Sequence, residues 1–309
     1  MNVNWMTLRD LEYLLAVARQ LHFGKAAESC HVSQPALSTQ VKKIEDMLGF
    51  VIFERTNRRV TITERGQKVV SLARVVLEEA QKIAALSRAE STEGLLKGTF
   101  RVGAIATLGP YYIPHFLPVL KKTHPELKLI IREGLTEELL EELKFGELDF
   151  VLAAQTFDAN GFRVFPLFFE PFLLVVPQKH PLSKKKELTM NDLNVEEMIL
   201  LEDGHCLRDQ ALEICPPNRR GNIKQFHATS IETLRHLVAS EFGYTLIPAM
   251  AATNTLKGML RYRSFGGSRI GREIVAVCRE RFSAVREMET LAEFLRSHPP
   301  SFPEQRTQK

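Results

Sequence analysis

The chain has 309 residues, 25% charged and 44% hydrophobic, with a formal net charge of +4 at pH 7. This is the composition of a soluble globular protein long enough for two or three domains. Four cysteines in such a length exclude a disulfide-stapled secreted miniprotein, and no run approaches the roughly 20 apolar residues of a membrane span. The mild positive charge permits a nucleic-acid partner without arguing for one. Met1–Trp5 lacks the basic and apolar stretches of a signal peptide. The expected location is therefore cytoplasmic, where a cysteine pair is read as catalytic, sensing or metal-binding rather than structural.

In chain order, Leu8, Leu11, Leu14, Leu15, Val17 and Ala18 form a helical stripe that ends at Phe23-Gly24. A short helix is expected over Lys25–Cys30. Ser33 is a good N-cap, and Pro35 falls in the first turn, where a missing N–H costs little. The helix from Gln34 carries Leu37, Val41, Ile44 and Leu48 and stops at Gly49. Strands Val51–Phe53 and Val60–Ile62 should flank a basic tip. A proline-free helix, about 63–89, has Val69, Leu72, Val76, Leu77, Ala80, Ile83 and Ala84 on one face and is read as a candidate pairing helix between chains, the alternative being a helix lying on its own domain. Past Gly94 and Gly98 the pattern alternates: strand 100–104, helix 110–122, strand 127–131, helix 136–145, strand 150–153. That rhythm predicts a mostly parallel sheet. A second unit of similar size opens at Phe172–Val176, then Met198–Leu201, His227–Val238 and Tyr244–Ile247. Strand 274–278 and helix 285–296 close the chain, and the Pro-rich tail from Pro299 reads as disordered.

Residues 23–38 have a helix–turn–helix layout. The second helix offers Gln34, Pro35, Ser38, Thr39, Lys42 and Lys43 away from its apolar side. Gln, Ser and Thr can read base edges, whereas Lys contacts phosphate. Arg55, Arg58 and Arg59 make a plausible wing that grips the DNA backbone. The alternative is a plain three-helix domain with a solvated face.

Cys206 and Cys215 lie nine positions apart. Nine residues of α-helix advance by about 13 Å and turn by about 900°, whereas a disulfide needs Cα atoms within roughly 7 Å. If Leu207–Ile214 is helical, the two thiols cannot bond without refolding it. The pair thus has the character of a conformational switch driven by oxidation. His205 and Arg208 stand beside Cys206 in sequence and could supply positive charge. Neither CxxC spacing nor His205 and His227 complete a metal-ligand set, so no metal and no cofactor is expected. Cys30 and Cys278 read as small core residues.

Phe23, Ala26-Ala27, Val32-Ser33-Gln34-Pro35-Ala36-Leu37-Ser38, Ile44-Glu45, Leu48-Gly49 and Phe53-Glu54-Arg55 resemble, in order and spacing, the N-terminal domain of LysR-type transcriptional regulators. The resemblance implies an all-α winged helix-turn-helix domain plus an α/β two-lobed periplasmic-binding-protein-like effector domain. The implied boundaries are a DNA-binding domain at 6–63, a linker and dimerisation helix at 64–93, lobe I at 94–168 with 274–300, lobe II at 169–273 and a tail at 301–309. The stretch Leu201–Ala211, with Cys215, is similar to members of that family that sense hydrogen peroxide. By that similarity Cys206 is the peroxidatic cysteine and Cys215 resolves the resulting sulfenic acid into a disulfide. Thr107, Thr136, His205, Arg208 and Arg272 would bind the peroxide or an ordered water. Implied partners are promoter DNA, hydrogen peroxide, RNA polymerase, a thioredoxin- or glutaredoxin-type reductant and further copies in a homotetramer, with no membrane and no enzymatic turnover. A family member answering a small metabolite in the inter-lobe cleft, or a thiol peroxidase, is the competing reading. Pro216-Pro217 departs from the expected pattern beside the resolving cysteine and stiffens the chain there.

Overall fold

The computed structural model describes residues 6–56, 59–86, 96–214, 227–253, 255–266, 269–282 and 284–302. The chain divides into two compact units, Met1–Ser91 with Arg281–Ala284 and Thr92–Glu280 with Val285–Lys309.

The first unit is built on three helices, α1 (Leu8–Gln20), α2 (Phe23–Ser29) and α3 (Gln34–Leu48). Thr7 caps α1 in a reciprocal box with Asp10, each side chain satisfying the other's backbone N–H. His22 caps α2 by accepting from the N–H groups of Gly24 and Lys25, and Ser33 caps α3. Leu14, Val17, Ala26, Leu37 and Val41 meet in the core. Strand β1 (Phe53–Arg55) pairs antiparallel with β2 (Val60–Ile62). The first strand thus starts at Phe53, two residues later than expected. Helix α4 (Glu64–Leu86) follows. It turns Val70 and Ala73 into the same core and leaves Leu72, Val76 and Ile83 exposed. Gly66 of α4 lies so close to Ile52 O that a Cβ would stand 2.3 Å from it.

The second unit holds β3 (Gly98–Ile105), α5 (Gly109–Thr123), β4 (Leu127–Gly134), α6 (Thr136–Lys144), β5 (Phe150–Ala154) and β6 (Phe162–Pro177). Then come β7 (Leu200–Leu201), α7 (Cys206–Ile214), β8 (His227–Ala228), α8 (Ile231–Ala239), β9 (Thr245–Pro248), β10 (Leu260–Arg263), β11 (Gly271–Arg279) and α9 (Val285–Ser297). The main sheet is mixed, in the order β10-β6-β11-β5-β3-β4 with β9 also on β6. Only β3–β4 and β3–β5 are parallel in it, so the expectation of a mostly parallel sheet is corrected. The cause is β6, 16 residues long, and β11, both antiparallel to their neighbours. The first half of β6 pairs with β11 on the β3–β5 side, and the second half with β9 and β10. These long strands thereby run from one lobe into the other. Pro166 and Pro171 hid the first half of β6, because proline cannot donate to a ladder; Pro166 sits at a register shift and Pro171 opposite the first residue of β11.

The tail is also corrected in part. Pro299 O contacts His115 Nε2 at 3.2 Å, and the Phe302 ring lies 6.2 Å from that of Phe168. Aromatic packing thus orders residues 299–302 despite their polar, Pro-rich composition.

Candidate redox site and DNA-reading face

Strands β3 and β4 run parallel with Ile105 opposite Gly134. Two residues on, each chain turns into a helix, and those turns carry Thr107 and Thr136. The two threonines therefore stand side by side at the carboxyl edge of the sheet, where open α/β sheets bind ligands. Neither is a helix N-cap: Leu108 and Leu135 hold those positions and make no side-chain cap bond. Both threonines are buried.

Cys206 opens α7, the end of a helix that carries partial positive charge. It is a half-buried free thiol. Leu207 and Ala211 pin α7 into the lobe II core. Just before Cys206, Gly204 adopts φ +92°, and a Cβ there would lie 2.9 Å from Leu135 Cδ1. That close approach brings the cysteine loop against the turn that leads into Thr136. Cys215 lies outside the described residues, as do Pro216 and Pro217. Helix α7 does run from Cys206 to Ile214 without interruption.

Arg272, on β11, is fully buried and faces Glu170 on β6. Its Nε and Nη2 reach Glu170 Oε2 at 3.0 and 2.8 Å. Its Nη1 donates to Thr107 Oγ1 at 2.7 Å and its Nη2 to Thr107 O at 2.9 Å. Glu170 Oε1 in turn accepts from Met250 N at 3.1 Å. Sequence reasoning missed Glu170. Its signal was a lone charge in the apolar run Phe168-Phe169-Glu170-Pro171.

Three polar atoms near Cys206 in fold or sequence are buried without a hydrogen-bond partner among the described residues: Thr136 Oγ1, Gln210 Oε1 and Arg208 Nε. Gln210 was not anticipated. It is four residues past Cys206 on α7, hence on the same helix face. Buried orphan polar groups are rare and call for a small polar occupant. The expected source of positive charge is weaker than the sequence suggests. Burial lowers the His205 pKa below its usual 6.5, against the pull of Glu202, so the ring is neutral at pH 7. Arg208 shares its charge with Asp203 and, at 3.9 Å, with Asp209.

The other two described thiols are poor candidates for oxidation. Cys278 is buried and its pKa is pushed up to about 11 by that burial. Burial also raises the pKa of Cys30, which is half-buried at the end of α2. No group of three or more His, Cys, Asp or Glu residues that could hold a metal occurs among the described residues.

On the helix–turn–helix, Gln34, Pro35, Thr39 and Lys42 are exposed along α3, and Ser38 is partly covered. Arg59 is exposed near the tip of the wing; Arg58 lies outside the described residues. Arg55 is engaged internally. It donates to Ser38 Oγ at 2.7 Å, pairs with Glu45 at 3.4 Å and stacks 4.0 Å over the Phe23 ring. Glu45 also accepts from the N–H groups of Ile52 and Phe53 at the wing's base.

Residues 8–67 match the bacterial regulatory helix-turn-helix protein, lysR family, and residues 93–300 match the LysR substrate binding domain. The chain is 44% identical over 247 residues, 80% of each chain, to the DNA-binding transcriptional dual regulator OxyR of Escherichia coli. Among solved structures, a full-length OxyR variant from Pseudomonas aeruginosa superposes with a TM-score of 0.76 at 39% identity, covering 94% of this chain and 95% of that one. The oxidized form of OxyR from Corynebacterium glutamicum superposes with a TM-score of 0.56 at 32% identity, covering 94% and 92%.

Proposed function

Because the chain belongs to the LysR family of helix–turn–helix regulators, we propose that it is a DNA-binding transcriptional regulator that senses hydrogen peroxide at Cys206. The observation that carries this reading is a free thiol at the start of α7, one helical turn from an orphan buried amide oxygen and beside a loop packed against the Thr136 turn. Small, uncommitted hydrogen-bonding groups suit a ligand the size of peroxide or water. Similarity to relatives named for OxyR supports the same chemistry.

In this mechanism the Cys206 thiolate attacks one peroxide oxygen. An S–O bond forms, the O–O bond breaks, and the departing oxygen takes a proton and leaves as water. Cys206 is then a sulfenic acid, oxidised by two electrons. The Cys215 sulfur attacks it, the S–S bond forms, the S–O bond breaks and a second water leaves. Thr107, Thr136, His205, Arg208 and Arg272 are the proposed peroxide-facing set. Disulfide formation would dismantle α7 and alter how effector units meet in a homotetramer. Leu72, Val76 and Ile83, exposed on α4, are the proposed pairing face. Gln34, Pro35, Ser38, Thr39 and Lys42 read or grip promoter DNA, with Arg58 and Arg59 on the wing and Arg55 bracing its base. RNA polymerase and a thioredoxin- or glutaredoxin-type reductant complete the cycle, and the protein acts in the cytoplasm. A sensor needs one oxidation per signal, so turnover is not required.

The test is a peroxide titration of intact protein, read by mass spectrometry and by DNA footprint. Cys206→Ser should lose the peroxide-dependent footprint change. Cys215→Ser should still consume one oxidant equivalent and form no intramolecular bond. A full response in Cys206→Ser would sink the proposal and leave the metabolite-responding reading.

A further inference from the structure

Thr107 can face a ligand in two ways, as a hydrogen-bond acceptor or as a donor, and its neighbours decide which. Arg272 Nη1 donates to its hydroxyl oxygen and Arg272 Nη2 to its carbonyl. Guanidinium has no acceptor. The hydroxyl hydrogen must therefore point away from Arg272, and no acceptor for it occurs among the described residues. Arg272 is itself held in one orientation by Glu170, with both side chains at 0% exposure. Glu170 spends its other oxygen on Met250 N. The result is a directed chain: the carboxylate fixes the guanidinium, and the guanidinium takes one lone pair of the threonine hydroxyl and leaves its hydrogen to be donated outward.

We infer that Glu170 is a positioning residue for peroxide reactivity, acting through Arg272 to aim the Thr107 hydroxyl hydrogen toward the peroxide. This rests on the peroxide reading above. A donated hydrogen bond gains strength as negative charge builds on the departing oxygen, so it favours the transition state over the ground state. An accepted one would do the opposite. Without Glu170, Arg272 is a buried cation that turns to find other acceptors, and the threonine hydroxyl is free to rotate.

A residue that merely ties β6 to β11 would slow all chemistry of a loosened site equally. The experiment therefore compares two reactions of Cys206 in the full-length protein carrying Cys215→Ser. One is oxidation by hydrogen peroxide, trapped as the dimedone adduct; the other is alkylation by iodoacetamide, which needs no donor at a leaving oxygen. Glu170→Gln should slow the first by about tenfold, the size of one lost charge-assisted hydrogen bond, and leave the second near the wild-type rate. Thr107→Val, which removes the hydroxyl, should match Glu170→Gln. The double variant Glu170→Gln/Thr107→Val should be no slower than either single variant, because both act through one hydroxyl. If Glu170→Gln does not fold, Arg272→Lys serves in its place. It keeps the buried charge but cannot hold Glu170 and both Thr107 oxygens at once, so the same selective loss is expected. Wild-type peroxide rates in these variants, equal losses in both reactions, or additive losses in the double variant overturn the inference. A wild-type Cys206 no faster with peroxide than a free cysteine overturns the peroxide reading and this inference with it.

Discussion

Gly204 has φ +92° and sits where a Cβ would touch Leu135, so two separate costs meet at one position. The left-handed backbone costs an L-residue about 1–2 kcal/mol, and the 2.9 Å approach requires Leu135 to move. Gly204→Ala should lower the stability of the effector unit by at least the first amount and slow Cys206 oxidation. Adding Leu135→Ala relieves the clash but not the backbone strain, so it should restore part of the loss. Thermal melts and peroxide kinetics on the single and double variants separate the two; an unaffected single variant would show that the loop does not hold the cysteine. Arg55 gives a second case. Its charge suggested a phosphate contact, yet it braces Phe23, Ser38 and Glu45. A phosphate role alone predicts that Arg55→Lys binds DNA nearly as well. The bracing role predicts a loss of about 1–2 kcal/mol with little change in the salt slope of binding, since lysine neither stacks nor forks. Titrations at several salt concentrations distinguish them. Both residues show what a one-dimensional pattern conceals: Cys206 can be singled out as a candidate from its neighbours, whereas Gly204, Gln210 and Glu170 acquire meaning only from burial and contact.

At the scale of elements, α7 is the part that a 206–215 bond must undo. Nine helical steps separate the cysteine positions by about 13 Å along an axis, and α7 is helical to its end at Ile214. Leu207 is 1% exposed, so its removal costs the packed helix about 2–5 kcal/mol. If Leu207 leaves its core on oxidation, that cost falls on the reduced form alone. Leu207→Ala should then make the disulfide harder to reduce by about 40–110 mV, at ~30 mV per 1.4 kcal/mol for a two-electron couple. Equilibration against glutathione or dithiothreitol buffers measures the shift, and an unchanged potential would mean that α7 survives oxidation. The helix starts and stops here were readable because capping has local rules: Ser33, Pro35 and Gly49 bound α3 as expected. The long strands β6 and β11 were readable only in part. Their pairing is set by partners about 100 residues away, and prolines break the local signal just where the chain crosses between lobes.

For the molecule as a whole, pH is the condition that joins distant parts. His124 ends α5, is buried, and lies edge-on to Phe294 of α9. Its Nδ1 accepts from Leu96 N at 3.1 Å, so the ring fixes the chain just before β3 to the end of α5 within the effector unit. Protonation would put a hydrogen where that lone pair is needed. Burial lowers the His124 pKa from 6.5, and burial lowers that of His205 in the cysteine loop too. Between each folded-state value and 6.5 the unfolded chain binds more protons than the folded one, so stability rises with pH through that window. The contribution is complete above about 6.5, the unperturbed histidine value, and is lost as pH falls below it. Asp192, whose pKa is lowered by its Lys185 partner, acts only below 3.8 and does not interfere. The melting temperature of the effector unit should therefore fall between pH 7.5 and pH 5.5. In His124→Gln the amide oxygen can still accept from Leu96 N but does not titrate, and the slope should flatten; His205→Asn should flatten it further. Each 1 kcal/mol is about 2–4 °C at this domain size, so melts at half-unit pH steps resolve the effect. A slope identical in wild type and the double variant would assign the acid sensitivity to other groups and leave the Leu96–His124 contact without a thermodynamic role in the effector unit.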